Sequence, residues 1–234
     1  MREMGCMERR DRVDRTTSVA ASANARGHFT RTWTLAFVGG ELAGFVPPAI
    51  VGVTLGTLGA HDVVFVVALT IAGIAEGAAL GAAQAWVLRR FAPSIDRRRW
   101  VAVTATAAGF AWFIGMSTSQ IGGASPLAPL LLVLVFAPLW LAALLAMGFA
   151  QWTVLRHVVP GSSRWIWVTA GAWLIGVSIP VIALSTVPDG WPLWSHGIVG
   201  LVAAVAMGLT VGALTGRTLA SLLERQNQQP VLAG

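Results

Sequence analysis

Long apolar stretches alternate with short polar turns along most of the chain. A helix needs about 20 predominantly apolar residues to cross the hydrocarbon core of a bilayer. Six such stretches occur: Trp33 to Leu58, Val63 to Leu88, Trp100 to Met116, Leu127 to Leu155, Trp165 to Leu184, and Gly197 to Gly216. They show no strand-like alternation of apolar and polar residues, which favours helices over a barrel. The pattern predicts an all-α polytopic membrane protein with six transmembrane helices.

These stretches divide the chain into three predicted parts. Residues 33–223 form the six-helix membrane domain, and residues 224–234 form a short cytoplasmic tail. Residues 1–32 are rich in Arg and lack an apolar run, so we expect a disordered cytoplasmic tail and no cleavable signal peptide. The composition is 56% hydrophobic and 11% charged, whereas soluble domains average about 25% charged residues. These values exclude an ordinary soluble enzyme and a coiled coil.

The distribution of Arg predicts the orientation. The 16 basic residues are all Arg, and they lie in the N-terminal tail, the second and fourth loops, and the C-terminal end. The first, third and fifth loops contain none, so the positive-inside rule predicts a cell-membrane protein with both termini cytoplasmic. The net charge of +6 then indicates attraction to anionic lipid head groups at the Arg-rich face, and nucleic acid is not an expected partner.

Tryptophans cluster at the predicted cytoplasmic ends of the spans. Indole rings prefer the interface between membrane and water, so we expect these side chains in an aromatic belt. The residues concerned are Trp33, Trp86, Trp100, Trp152, Trp165 and Trp167.

The spans also repeat. Segment 81–89 reads GAAQAWVLR and segment 148–156 reads GFAQWTVLR, at a constant offset of 67. Among the odd spans, Trp33, Gly39, Gly44 and Pro48 align without gaps on Trp165, Gly171, Gly176 and Pro180. The third and sixth spans follow these patterns more weakly, with Thr215 at the position of Gln84. Repeats of the same membrane orientation are related by an axis along the membrane normal. The sequence thus predicts three helical-hairpin repeats in a bundle with approximate three-fold pseudo-symmetry.

Three segments carry a resemblance to known sequences. They are EGAALGAAQ at 76–84, QWTVLR at 151–156 and AMGLTVG at 206–212. Over roughly residues 33–223 the chain resembles an uncharacterised family of bacterial multi-pass membrane proteins that repeats a Gly-x2-Gln-Trp-x-Val-Leu-Arg element. The chain departs from the element at Ala85, where Trp is usual. The resemblance implies architecture and no particular chemistry.

Glu41 and Glu76 are the only acids inside the predicted spans. An ionisable residue in a membrane span is a candidate functional site, and its carboxyl group should face the bundle interior. Counted from the span ends, the two residues differ in depth by about 7–8 Å, which is too far for a direct hydrogen bond. We therefore expect separate partners, such as Gln84, Thr104 or a backbone carbonyl freed by the proline pair at 47–48.

Gln84 and Gln151 are the other polar candidates, because an amide at their depth cannot face lipid cheaply. Either they join helices by hydrogen bonds or they contact a ligand. No catalytic constellation, metal-ligand cluster or cofactor motif occurs, so neither an enzyme nor a cofactor is expected.

The sequence therefore favours a structural, assembly or accessory membrane protein. The alternative is a small channel or carrier for protons, cations or a small polar solute through Glu41 and Glu76. A homo-oligomer or a complex with other membrane proteins is compatible with either function.

Overall fold

The computed structural model describes residues 2–121, 130, 132–188 and 190–228. A π-helical turn, Leu132–Phe136, precedes the fourth of six long α-helices. The helices are α1 (Arg2–Thr57), α2 (Asp62–Phe91), α3 (Arg97–Ile121), α4 (Ala137–Leu155), α5 (Arg164–Ser185) and α6 (Leu193–Gln228). Six helices are long and apolar enough to cross a membrane, and the described residues contain no strand. The prediction of an all-α protein with six membrane-spanning helices is therefore confirmed at this level.

The helix ends differ from the predicted span ends. α1 runs through residue 32 without a break, so the predicted boundary between tail and membrane domain does not coincide with a helix end. Phe29, placed in the tail by composition, is buried and packs edge-on against Phe91 at 5.1 Å between ring centroids. The predicted start of the fourth span at Leu127 lies outside the described residues.

Two loops each deliver a tryptophan to the first turn of the following helix. Asp96 Oδ1 accepts hydrogen bonds from the backbone N–H groups of Arg98 at 3.0 Å and Arg99 at 3.2 Å. Asp96 thus caps the N-terminus of α3, and Trp100 follows in the first turn of this helix. In the loop after α4, Gly161 has a φ of +70°, a conformation that side chains with a Cβ rarely adopt. α5 begins three residues later, with Trp165 in its first turn.

The six helices form a closed ring in chain order. Each helix packs against its neighbours in sequence, and α6 packs against α1. The contact between α6 and α1 completes the ring and is tight, because a Cβ at Gly212 would lie 3.0 Å from the Cα of Thr34. The loops between α2 and α3 and between α4 and α5 lie at the same end of the ring as Phe29 and Leu222, in one buried cluster. We call this end the Arg-rich end.

The outer surface of the ring is apolar. Large side chains such as Ile71, Val181 and Val202 are more than 60% exposed. A soluble monomer rarely exposes contiguous apolar surface on this scale, so the ring suits a lipid environment. At the Arg-rich end, exposed Trp86 lies under the guanidinium of Arg90, at 4.7 Å from the ring centroid. This pairing of indole and cation is typical of a membrane interface.

Candidate functional site

Three tryptophans meet in the centre of the ring at the Arg-rich end. Trp33, Trp100 and Trp165 begin the membrane-embedded parts of α1, α3 and α5, and each is at most 1% exposed. Their ring centroids form a triangle with sides of 6.3, 6.3 and 6.2 Å. These distances lie within the range of favourable aromatic contacts. The three rings therefore fill the middle of the bundle at this level.

Each of these indoles donates a hydrogen bond to an even-numbered helix. The buried acceptors are Thr215 Oγ1 for Trp33 at 3.0 Å, Gln84 Oε1 for Trp100 at 2.9 Å, and Gln151 Oε1 for Trp165 at 3.1 Å. A buried indole N–H needs such a partner, because an unpaired donor away from water costs about 1–3 kcal/mol. We call these three tryptophans and their three acceptors the indole–amide layer.

Gln151 connects the layer across helices. Besides accepting from Trp165, it donates through Nε2 to Gln84 Oε1 at 3.1 Å and to Thr104 Oγ1 at 3.1 Å. Gln84 is 3% exposed and Gln151 is 1% exposed. The expectation that both amides face the protein interior is confirmed. Of the two roles considered for them, the hydrogen bond between helices is the one that the structure describes.

Glycines set the close helix contacts beside the layer. Gly81, Gly148 and Gly212 each precede the polar acceptor on their helix by three residues. A Cβ at Gly148 would lie 2.7 Å from the backbone oxygen of Ile166, and one at Gly81 would lie 3.0 Å from the Cα of Val101. The residues contacted directly follow Trp165 and Trp100 in the sequence. The helices thus approach closely where the hydrogen bonds form.

The predicted aromatic belt is therefore only partly correct. Trp86 and Trp167 are 45% and 68% exposed and suit an interfacial position. Trp33, Trp100 and Trp165 are buried in the bundle centre, so their assignment to a belt was wrong. The physical reason is that sequence position fixes the depth of a residue, whereas the face of the helix decides between lipid and core.

Glu41 and Glu76 form a second buried polar group farther along the bundle. They are 3% and 8% exposed, which confirms that both face the interior. They lie near each other where α1 and α2 pack closely, and the indole Nε1 of Trp112 donates to Glu76 Oε2 at 2.5 Å.

The expected difference of about 7–8 Å in depth between the two acids was too large. The expectation placed Trp33 and Arg89 at one depth, whereas the contacts of α1 with α2 show a different register. A Cβ at Gly44 would lie 3.0 Å from the Cα of Glu76, and one at Gly40 would lie 3.1 Å from the Cα of Leu80. Glu41 is therefore level with residue 79, and only three residues, about 4.5 Å, separate the two acids in depth.

The carboxyl pair is incompletely satisfied. Glu41 Oε2 is buried and has no hydrogen-bond partner among the described residues. Of the partners expected for the acids, Gln84 belongs to the indole–amide layer, and Thr104 accepts from Gln151 of that layer. Sequence reasoning also missed Trp112, the donor to Glu76. The pair can hold a proton, and the free oxygen can accept one further hydrogen bond.

Comparisons with protein-family models, with curated proteins and with solved structures found no match to this chain.

Proposed function

We propose that the protein is a non-transporting integral membrane protein with a structural, assembly or accessory role. The observation that carries this proposal is the indole–amide layer, whose three buried rings occupy the bundle centre at the Arg-rich end. A solute path through the ring would have to separate these rings and leave three indole N–H groups without acceptors. Such a separation costs several kcal/mol at about 1–3 kcal/mol for each orphaned donor.

The layer also supports a bundle of three hairpin repeats related by an axis along the membrane normal. The tryptophan on the odd helix of each proposed repeat donates to a polar side chain on the even helix of the repeat before it in the ring. Thr215 occupies the third acceptor position, as its alignment with Gln84 predicts. Thr215 is shorter than Gln and has no side-chain amide. Its hydroxyl donates a hydrogen bond to the backbone oxygen of Val211 on its own helix, so the third repeat lacks a hydrogen bond like the one between Gln151 and Gln84.

The Arg distribution supports a cell-membrane location with both termini in the cytoplasm, because the loops at the Arg-rich end carry Arg and the first and fifth loops carry none. Membership of the resembling bacterial multi-pass family is part of the same proposal. Membership is supported by the two matching segments at 81–89 and 148–156, whose glutamines are hydrogen-bonded to each other.

Flux measurements on purified protein in liposomes test the non-transporting role. Vesicles loaded with a pH dye, or with dyes for sodium or potassium, should equilibrate no faster than protein-free vesicles under an imposed gradient. The packed layer is the reason for this expected result. Flux that scales with the protein-to-lipid ratio would contradict the proposal.

The carboxyl pair favours a second candidate, proton or cation handling at Glu41 and Glu76. Two neighbouring buried acids form a site that can take up or release a proton, and Glu41 Oε2 has a free acceptor position. This candidate becomes the better account if the liposomes show flux that Glu76→Gln abolishes while the protein stays folded. Asp62→Asn is the matched control, because it neutralises an exposed acid at the start of α2 and should leave such flux unchanged.

A further inference from the structure

A cleft with a volume of about 500 Å³ opens at the Arg-rich end between α1 and α6. Its lining includes Arg26, Arg31 and Arg217 together with Thr30 and Gly27. Neither the indole–amide layer nor the carboxyl pair uses these side chains. The cleft is thus a concave surface in which cations from two helices converge.

The positive charge of the cleft is only partly compensated. Arg26 Nε lies 3.2 Å from Glu224 Oε1 as an ion pair without hydrogen-bond geometry. Arg31 and Arg217 form no ion pair with any residue that the structure describes. The planar guanidinium group presents several N–H donors in a fork that fits the oxygens of a phosphate, so two uncompensated Arg side chains favour a phosphate-bearing ligand.

The position of the cleft indicates where that ligand comes from. A Cβ at Gly216 would lie 2.9 Å from the Trp33 ring and 3.4 Å from Thr30 O, so Arg217 and Arg31 share one level beside the indole–amide layer. Arg26 lies five residues farther out, about 7–8 Å along the helix. The polar layer of one bilayer leaflet is about 5–8 Å thick. The length of the cleft therefore matches the thickness of the lipid head-group layer.

We propose that this cleft binds the phosphate group of an anionic phospholipid, held by Arg31 and Arg217, with the Thr30 hydroxyl beside it. The lipid is favoured over a soluble phosphate because the cleft adjoins apolar outer surface on the same two helices. The acyl chains then extend along the apolar outer surface of α1 and α6, where Leu209 and Leu35 are exposed.

Native mass spectrometry in detergent tests the proposal, with phosphatidylglycerol titrated against phosphatidylcholine. Arg31→Gln combined with Arg217→Gln should weaken phosphatidylglycerol binding about 10-fold or more, since a basic residue at an anionic membrane surface contributes about 5-fold. Arg97→Gln combined with Arg98→Gln is the matched control. It removes the same charge from exposed positions at the same end and should change binding much less.

A steric variant keeps the test independent of charge. A Cβ at Gly27 meets no atom within 4 Å, so Gly27→Leu should fold normally and place its side chain in the cleft. We expect it to weaken phosphatidylglycerol binding with all Arg residues present. Equal losses in both double variants, or full binding by Gly27→Leu, would overturn the proposal. Displacement of the lipid by inorganic phosphate at equal concentration would overturn the assignment to a lipid.

Discussion

Replacing Gln151 by Leu tests the energetic importance of the indole–amide layer. Gln151 is 1% exposed and makes three hydrogen bonds, with Trp165, Gln84 and Thr104. Leu has a similar volume, so the substitution removes polar contacts without leaving a large cavity. Side-chain hydrogen bonds between membrane helices average about 0.6 kcal/mol each and reach about 1.7 kcal/mol. Loss of three such bonds predicts a decrease of about 2–5 kcal/mol in the free energy of unfolding.

Unfolding by sodium dodecyl sulfate in mixed micelles, followed by tryptophan fluorescence, measures this change. Trp33, Trp100 and Trp165 are buried in the folded state, so their emission reports on the layer itself. Thr106→Val is the control. The exposed Thr106 hydroxyl donates a hydrogen bond only to the Ala102 carbonyl of its own helix. The control should therefore change the free energy of unfolding by less than about 0.5 kcal/mol, as surface substitutions usually do.

A second substitution separates the hydrogen bonds from other effects. Trp165→Phe removes the indole N–H that donates to Gln151. In the Gln151→Leu background this donor already lacks its acceptor, so Trp165→Phe should cost about 0.6–1.7 kcal/mol less there than in the wild type. Additive effects, or a Gln151→Leu loss smaller than that of Thr106→Val, would refute the reasoning.

Three further predictions concern the glycine contacts, the carboxyl pair and the orientation. Gly148→Ala should lower the free energy of unfolding by about 1–3 kcal/mol because its Cβ would meet backbone atoms. A Cβ at Gly171 meets no atom within 4 Å, so Gly171→Ala should be neutral or stabilising in the same titration with sodium dodecyl sulfate. Glu41→Gln should unfold within about 1 kcal/mol of the wild type because the amide has a similar volume and can donate to the nearby Glu76, and Glu41→Ala should cost about 1–3 kcal/mol more; equal costs would contradict an interaction between the two side chains. A fluorescent reporter that folds only in the cytoplasm should be active when fused after Gly234, and activity of a periplasmic reporter there would contradict the proposed orientation.

The helices could be predicted from the sequence because the length of an apolar run is itself the physical requirement for crossing a bilayer. The constant offset between the segments of Gln84 and Gln151 also predicted that the two amides lie at equal depth. In the structure they are hydrogen-bonded to each other in the bundle centre. A signal for the complete layer was present as well. Trp33, Trp100 and Trp165 stand at the start of successive odd spans, and each even span has a Gln or Thr close to its end.

Helix rotation and register could not be predicted. Trp86 and Trp100 have equal depth by sequence, yet one is 45% exposed and the other is buried, because neighbouring helices decide which face they cover. The pairing of Glu41 with Glu76 depends on the shift of α2 against α1. That shift is set by small residues such as Gly44, whose close approach to Glu76 appears only when both helices are packed.

An engineered disulfide between α1 and α6 tests closure of the helix ring most directly. A Cβ at Gly208 would lie 3.7 Å from the Cβ of Val38, within the usual range of about 3.5–4.5 Å for a disulfide. In a Cys6→Ser background, Val38→Cys with Gly208→Cys should therefore oxidise to an intramolecular disulfide in the native membrane. Val38→Cys with Gly115→Cys, on helices that are not neighbours in the ring, should not. Failure of the first pair to cross-link, or equal cross-linking of both pairs, would contradict the closed ring and the packed centre that it encloses.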